Sequence, residues 1–143
     1  MKRLRTWLLT LTACLATSIG LVLATSTPAY AGPLTTFIFG SSHPYYTLGE
    51  GYFEPAYFAH DGSITVKDTF CDGDNGIIAA VYYQNYNEWK RTDLVSVRGC
   101  GWENTNPTEN LPYGATVRFR TCKLLPDGTW KDCIDKYTTN DEE

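Results

Sequence analysis

The chain has 143 residues, with 12 Lys+Arg against 16 Asp+Glu and a formal net charge of −4. That length holds one ordinary domain. The acidic balance excludes nucleic acid and anionic membrane as natural partners, because phosphate recognition needs basic patches.

Residues 1–31 read as a secretory signal peptide. Lys2, Arg3 and Arg5 form a basic start, an apolar run follows from Trp7 to Ala24, and Ala29-Tyr30-Ala31 makes a small-x-small cleavage signature before Gly32. A transmembrane helix is the alternative, but Thr, Ser and Gly interrupt the run and no charged stop follows it. Leu11-Thr12-Ala13-Cys14 also has the form of a lipobox, in which Cys14 would be lipidated. Against this, the apolar run before Cys14 is short and the chain stays apolar at Leu21, Val22 and Leu23. Cleavage predicts a secreted, extracellular domain over residues 32–143, with no membrane association afterwards. Removing residues 1–31 leaves 112 residues with nine Lys+Arg against sixteen Asp+Glu, a charge of −7.

No long stretch of the remaining chain has helical periodicity. Short β-rich runs recur between turn residues: Thr35–Phe39, Gly51–Ala59, Ser63–Phe70, Gly76–Gln84, Asp93–Arg98, Ala115–Leu124 and Thr129–Tyr137. His60-Asp61-Gly62-Ser63 predicts a hairpin turn between the second and third. Pro55 inside the second predicts an edge strand or a bulge. Gly76–Gln84 is apolar on both faces and reads as the central strand. Residues 85–92 and 101–114 read as loops, the latter being "GWENTNPTENLPYG". The last three residues, Asp141-Glu142-Glu143, read as a solvated tail.

Asp68 shares the core face of its strand with Ile64, Val66 and Phe70. A carboxylate there needs hydrogen-bond partners. Loop amides are the expected partners, in the turn Asp72–Gly76. The stretch "FCDGDNGII" (residues 70–78) fails as an EF-hand: counting from Asp72, position 5 is Gly76 and position 12 is Tyr83, where oxygen ligands are needed. A looser calcium site on Asp68, Asp72 and Asp74 is the rival reading. Asn75-Gly76 between apolar strands reads better as a hairpin turn stapled by Cys71. No metal or cofactor is expected.

Four cysteines remain after cleavage, Cys71, Cys100, Cys122 and Cys133, and an even count in a small exported chain reads as two disulfides. Three pairings are possible. Pro126-Asp127-Gly128 is a strong turn signal. With a two-residue turn at Asp127-Gly128, Cys122 falls opposite Cys133, and Cys71–Cys100 follows by default. A Pro126-Asp127 turn with Gly128 in a bulge would shift that register by one. The pattern predicts an all-β fold, a small antiparallel β-sandwich of about seven strands with two disulfides.

The run "GYFEPAYFAHDGSITVKDTFCDGDNGIIAAVYY" and the later "VRFRTC" resemble small secreted disulfide-containing β-rich proteins of actinobacteria. The shared features are a strand carrying Val66-Lys67-Asp68, the turn from Asp72-Gly73 to Gly76, and paired cysteines, over residues 51–133. The resemblance implies secretion and a β-rich fold. It carries no catalytic residues.

No catalytic constellation stands out. His43 precedes Pro44 and His60 sits at a turn, neither in a triad or metal spacing, and bridged cysteines supply no thiol nucleophile. Glu50 and Glu54 share one face of a strand and could pose as a glycosidase pair, but that spacing is common by chance and solvated edge charges explain them better. The expected protein is therefore not an enzyme. Aromatic content is the unusual signal: 3 Trp, 9 Tyr and 6 Phe after residue 31. Tyr45, Tyr46, Tyr86, Trp89, Trp102 and Tyr113 fall beside polar residues. Core packing and capping of the sandwich ends account for most rings. The expected function is a binding module for an extracellular glycan or secreted protein, stacking ligand on Tyr86, Trp89 and Trp102. Asn104, with Asn85, Asn87 and Glu88, would orient the ligand. The alternative is an inhibitor of an extracellular hydrolase presenting the 101–114 loop.

Overall fold

A computed structural model describes residues 33–40, 43–55, 62–109 and 111–140. The expected signal peptide with Cys14, the expected turn at His60-Asp61 and the last three residues lie outside the described residues. Eight strands form: β1 Leu34–Gly40, β2 His43–Glu54, β3 Ser63–Asp68, β4 Gly76–Asn85, β5 Glu88–Arg98, β6 Glu103–Pro107, β7 Thr116–Leu124 and β8 Trp130–Thr139. They make two antiparallel four-stranded sheets, ordered β1-β2-β3-β6 and β5-β4-β7-β8. The fold is the expected all-β sandwich, and no helix occurs among the described residues.

Alternation builds the core. Ile38, Phe53, Ile64 and Val66 point inward from the first sheet and meet Ile77, Ala79, Val81, Val95, Val97, Val117 and Phe119 from the second. Phe53 and Phe119 stack at 5.7 Å between ring centroids. Beside them Thr36 Oγ1 donates to Thr121 Oγ1 at 2.7 Å, a buried hydroxyl pair spanning the two sheets. Gly51 makes room for it, since a Cβ there would come within 2.3 Å of the Thr121 hydroxyl. Strand β4 is central as expected, buried on both faces from Gly76 to Val81.

Several boundaries differ from the sequence reading, each for a local reason. β2 begins at His43, eight residues earlier than Gly51, and Pro55 follows its end instead of marking an edge; β2 lies between β1 and β3. The supposed loop at 85–92 contains only the turn Tyr86-Asn87, after which β5 starts at Glu88. The 101–114 loop contains β6, an exposed polar edge strand paired with β3. Apart from Thr105, its residues have low β propensity. Side-chain amides hold it instead: Asn104 donates to the Ser96 carbonyl at 2.9 Å and Asn106 to the Leu94 carbonyl at 3.0 Å. These bonds cap the free edge of β5 and close one side of the sandwich.

The β3–β4 connection is not a hairpin. It crosses from one sheet to the other, because β4 is apolar on both faces and takes β5 and β7 as its neighbours. The cysteines pair as expected, Cys71–Cys100 and Cys122–Cys133. The route to the second pair combines both sequence alternatives. Gly128 donates to the Leu125 carbonyl at 2.9 Å and takes φ +87°, so the turn centres on Pro126-Asp127 with Gly128 in the bulge. That sets Lys123 opposite Lys131, a register shifted by one. A second bulge with Asp132 at φ +51° restores Thr121 opposite Ile134, so Cys133 reaches Cys122.

Truncating the Phe53–Phe119 contact tests this core. Phe119→Ala should cost about 3–5 kcal/mol in urea-induced unfolding. Glu103→Ala, on the exposed strand β6, should stay within about 0.5 kcal/mol.

Candidate functional site

The outer face of the second sheet carries an ordered set of rings and cations. Register places Arg91 of β5, Tyr82 of β4, Arg118 of β7 and Tyr137 of β8 in one row across all four strands. Trp89 and Gln84 form the next row toward the β4–β5 turn, and Leu94, Ala80, Arg120 and Asp135 form the row on the other side. The Arg118 guanidinium lies 4.4 Å from the Tyr82 ring centroid and 4.6 Å from that of Trp89. Trp89 and Tyr137 meet at 6.0 Å with their planes tilted by 56°. Tyr137 is 56% exposed, so the cluster opens to solvent.

Its electrostatics are lopsided. Arg120 grips Asp135 in a fork, with Nε to Oδ1 at 2.6 Å and Nη2 to Oδ2 at 2.7 Å. The Arg120 hydrogen bonds hold the Asp135 carboxyl below its ordinary range, against a smaller desolvation effect, and the charges of Arg120 and Arg118 add to the lowering. The same bonds push the Arg120 guanidinium up. Arg118 has no ion pair, and its Nε is buried without an acceptor among the described residues. Attraction to the two ring faces, about 0.5–2 kcal/mol each, holds the cation in place of an anion.

Tyr86 stands at the tip of the adjoining turn, 93% exposed. Its φ of +56° is left-handed, a conformation that bulky side chains rarely adopt. Trp102 and Asn104 lie elsewhere. Trp102 is 69% exposed at the far end of β5, its ring against Gly99. The Asn104 amide is taken up by Ser96. The ends of β5, Glu88 and Arg98, are separated by roughly 30 Å of extended chain. Tyr86 and Trp89 thus lie at one end of β5, and Trp102 and Asn104 lie away from that end. Tyr113 is exposed on the loop before β7, and Tyr46 sits by Phe70 at 6.4 Å.

The end of the sandwich around Trp102 is braced by polar contacts. Asp68 Oδ2 accepts from the Gly99 amide at 3.0 Å and Oδ1 from the Phe70 amide at 3.3 Å, so its partners flank the Cys71–Cys100 bridge and are not in the Asp72–Gly76 turn. Asp72 pairs with Lys123 at 2.9 Å, Asn75 donates to the Asp72 carbonyl, and Arg98 donates to the carbonyls of Asp74 and Leu125. An open cleft of about 470 Å³ lies here, lined by Gly73, Asp74, Arg98, Gly99 and Pro126. No group of three metal-ligating side chains occurs among the described residues. Glu50 and Glu54 flank Tyr52 on the outer face of β2, with Glu50 opposite Lys67. The side chains of His43 and His60 lie outside the described residues.

The sequence reading singled out Trp89 but not Tyr82, Arg91, Arg118 and Tyr137, which share its face of the sheet. A signal was present. In "VRFR" (117–120) the alternation that buries Val117 and Phe119 sends both arginines outward. Which strands flank β7 was needed to see what those arginines meet.

Two outcomes follow for stability. Tyr86→Asn should stabilise by about 0.5–1 kcal/mol in thermal unfolding, since Asn tolerates the left-handed backbone and the exposed ring packs on nothing. Asp135 has a depressed folded pKa, so its contribution is present above the unfolded value near about 4 and is lost as pH falls through the folded one. Asp135→Asn should lower stability at pH 7 and flatten the loss below about pH 4, read by urea titrations at several pH values. No known protein family, curated protein or solved structure matches the chain.

Proposed function

We propose that the protein is a secreted, non-catalytic binding module that holds an extracellular glycan on the outer face of the β5-β4-β7-β8 sheet. The observation that carries this reading is the solvent-facing cluster of Tyr82, Trp89 and Tyr137 around Arg118. Rings offer broad apolar platforms to the C–H faces of sugars, and Tyr and Trp do so at low conformational cost. Arg118 fixes two of the rings before any ligand arrives, so little ordering entropy remains to oppose binding. Two disulfides suit an oxidising compartment, in keeping with the leader-like residues 1–31. Tyr86 extends the platform from the turn, and its strained backbone fits a residue kept for contact.

Co-sedimentation with insoluble polysaccharides and cell walls tests the reading. Saturable binding is expected, weakened at least tenfold by Trp89→Ala and unchanged by Trp102→Ala. Loss with Trp102→Ala alone would move the site to the other end of β5. Binding to none of the matrices would remove the glycan reading.

A further inference from the structure

All four arginines that follow residue 31, namely Arg91, Arg98, Arg118 and Arg120, lie on the outer face of the second sheet. Among the paired residues of that face Asp135 is the only acid, and Arg120 already neutralises it. The opposite face of the sandwich bears Glu50, Glu54 and Glu103 against Lys67. A chain with nine basic and sixteen acidic groups after residue 31 thus collects its guanidinium groups on one surface.

Two of these cations have neither an ion pair nor a hydrogen-bond acceptor among the described residues. Arg98 is spent on the carbonyls of Asp74 and Leu125, and Arg120 on Asp135. Arg118 lies between rings with no acceptor, and exposed Arg91 makes no ion pair or hydrogen bond among the described residues. In the row Arg91–Tyr82–Arg118–Tyr137, cation and ring alternate strand by strand. With strands about 4.8 Å apart, the backbone positions of Arg91 and Arg118 stand roughly 10 Å from each other. Such spacing fits a polymer that alternates carboxylates with apolar ring faces. It does not fit a nucleic-acid strand, whose charges recur about every 3.4 Å. Guanidinium groups match carboxylates in a two-point fork.

We propose that the glycan bound on this face is an anionic polysaccharide built from carboxylate-bearing sugars, whose carboxylates pair with Arg91 and Arg118 while its ring faces stack on Tyr82, Trp89 and Tyr137. This rests on the glycan-binding reading and adds the charge of the ligand. Pairing through two guanidinium groups makes the affinity salt-dependent, while stacking on the rings is not.

Isothermal titration of the purified protein with polygalacturonate, its fully methyl-esterified form and poly-glutamate tests the proposal. Polygalacturonate should bind, at least tenfold more tightly than the esterified polymer, and weaken as salt rises from 50 to about 300 mM. Arg91→Gln, at an exposed position, should weaken binding severalfold with an unchanged melting temperature. Arg118→Gln should remove most of what remains. Equal binding of the esterified polymer would overturn the charge assignment and leave the glycan reading standing. Binding of poly-glutamate alone would overturn both in favour of an acidic protein partner. Self-association in sedimentation equilibrium, lost on Glu50→Gln with Glu103→Gln, would overturn it in favour of a second copy of this chain. Binding of none of the three would overturn both readings.

Discussion

Strand β4 is apolar on both faces, yet only one sheet packs against it. Ile77, Ala79 and Val81 face the first sheet, while Ile78 and Ala80 face outward and are still 5% and 0% exposed. No third layer covers them among the described residues. Neighbouring strands do so with long side chains. Cys122, Leu124 and Trp130 close over Ile78. Leu94 and Arg120 flank Ala80 in register. The stem of Arg98 passes over Gly76, where a Cβ would lie 2.7 Å from Arg98 Cγ, and Arg118 lies over Tyr82. Arginine suits this task because its methylenes cover apolar surface while its head stays at the water boundary.

Burial of β4 therefore dictates where positive charge goes. Arg98, Arg118 and Arg120 stand on the second sheet's outer face where aliphatic cover is needed. Once there, they need something to hold their heads. At Arg98 the holder is a pair of loop carbonyls, and at Arg120 it is Asp135. At Arg118 it is two aromatic faces, which hold the cation without an ion pair among the described residues. The cover for one strand becomes a preformed surface of rings and cations. The rest of the molecule keeps that surface rigid: the Asn104 and Asn106 amides close the β5–β6 edge, and the two disulfides with Asp68 pin the loops at the far end.

Most of the fold was legible because alternation survives in this chain. Phe37–Phe39, Ile64–Val66 and Val117–Phe119 announce their strands, and the double-sided apolar run of β4 announces the centre. β6 was hidden because "ENTNP" is polar throughout and holds its place through long-range partners that local pattern does not show. The Asn75-Gly76 signal misled for a related reason: turn chemistry is local, whereas the sheet a strand joins depends on its neighbours. Asp132, an unremarkable residue in sequence, turns out to set the register of the second disulfide. At the site, composition singled out Tyr86 and Trp89, but Trp102 has the same local chemistry and sits at the other end of β5. Arg118 became visible only once β4, β7 and β5 were known to be adjacent.

Side-chain-resolved NMR titration with polygalacturonate is the most direct measurement, following the arginine Nε–H and tryptophan indole N–H signals together with the backbone amides. Perturbations should centre on Arg91, Arg118, Trp89 and the backbone around Tyr82 and Tyr137, with the Trp102 indole unmoved. Shifts confined to Trp102 and the loops around Asp68 and Gly99, with Arg118 and Trp89 silent, would contradict a ligand face on the second sheet.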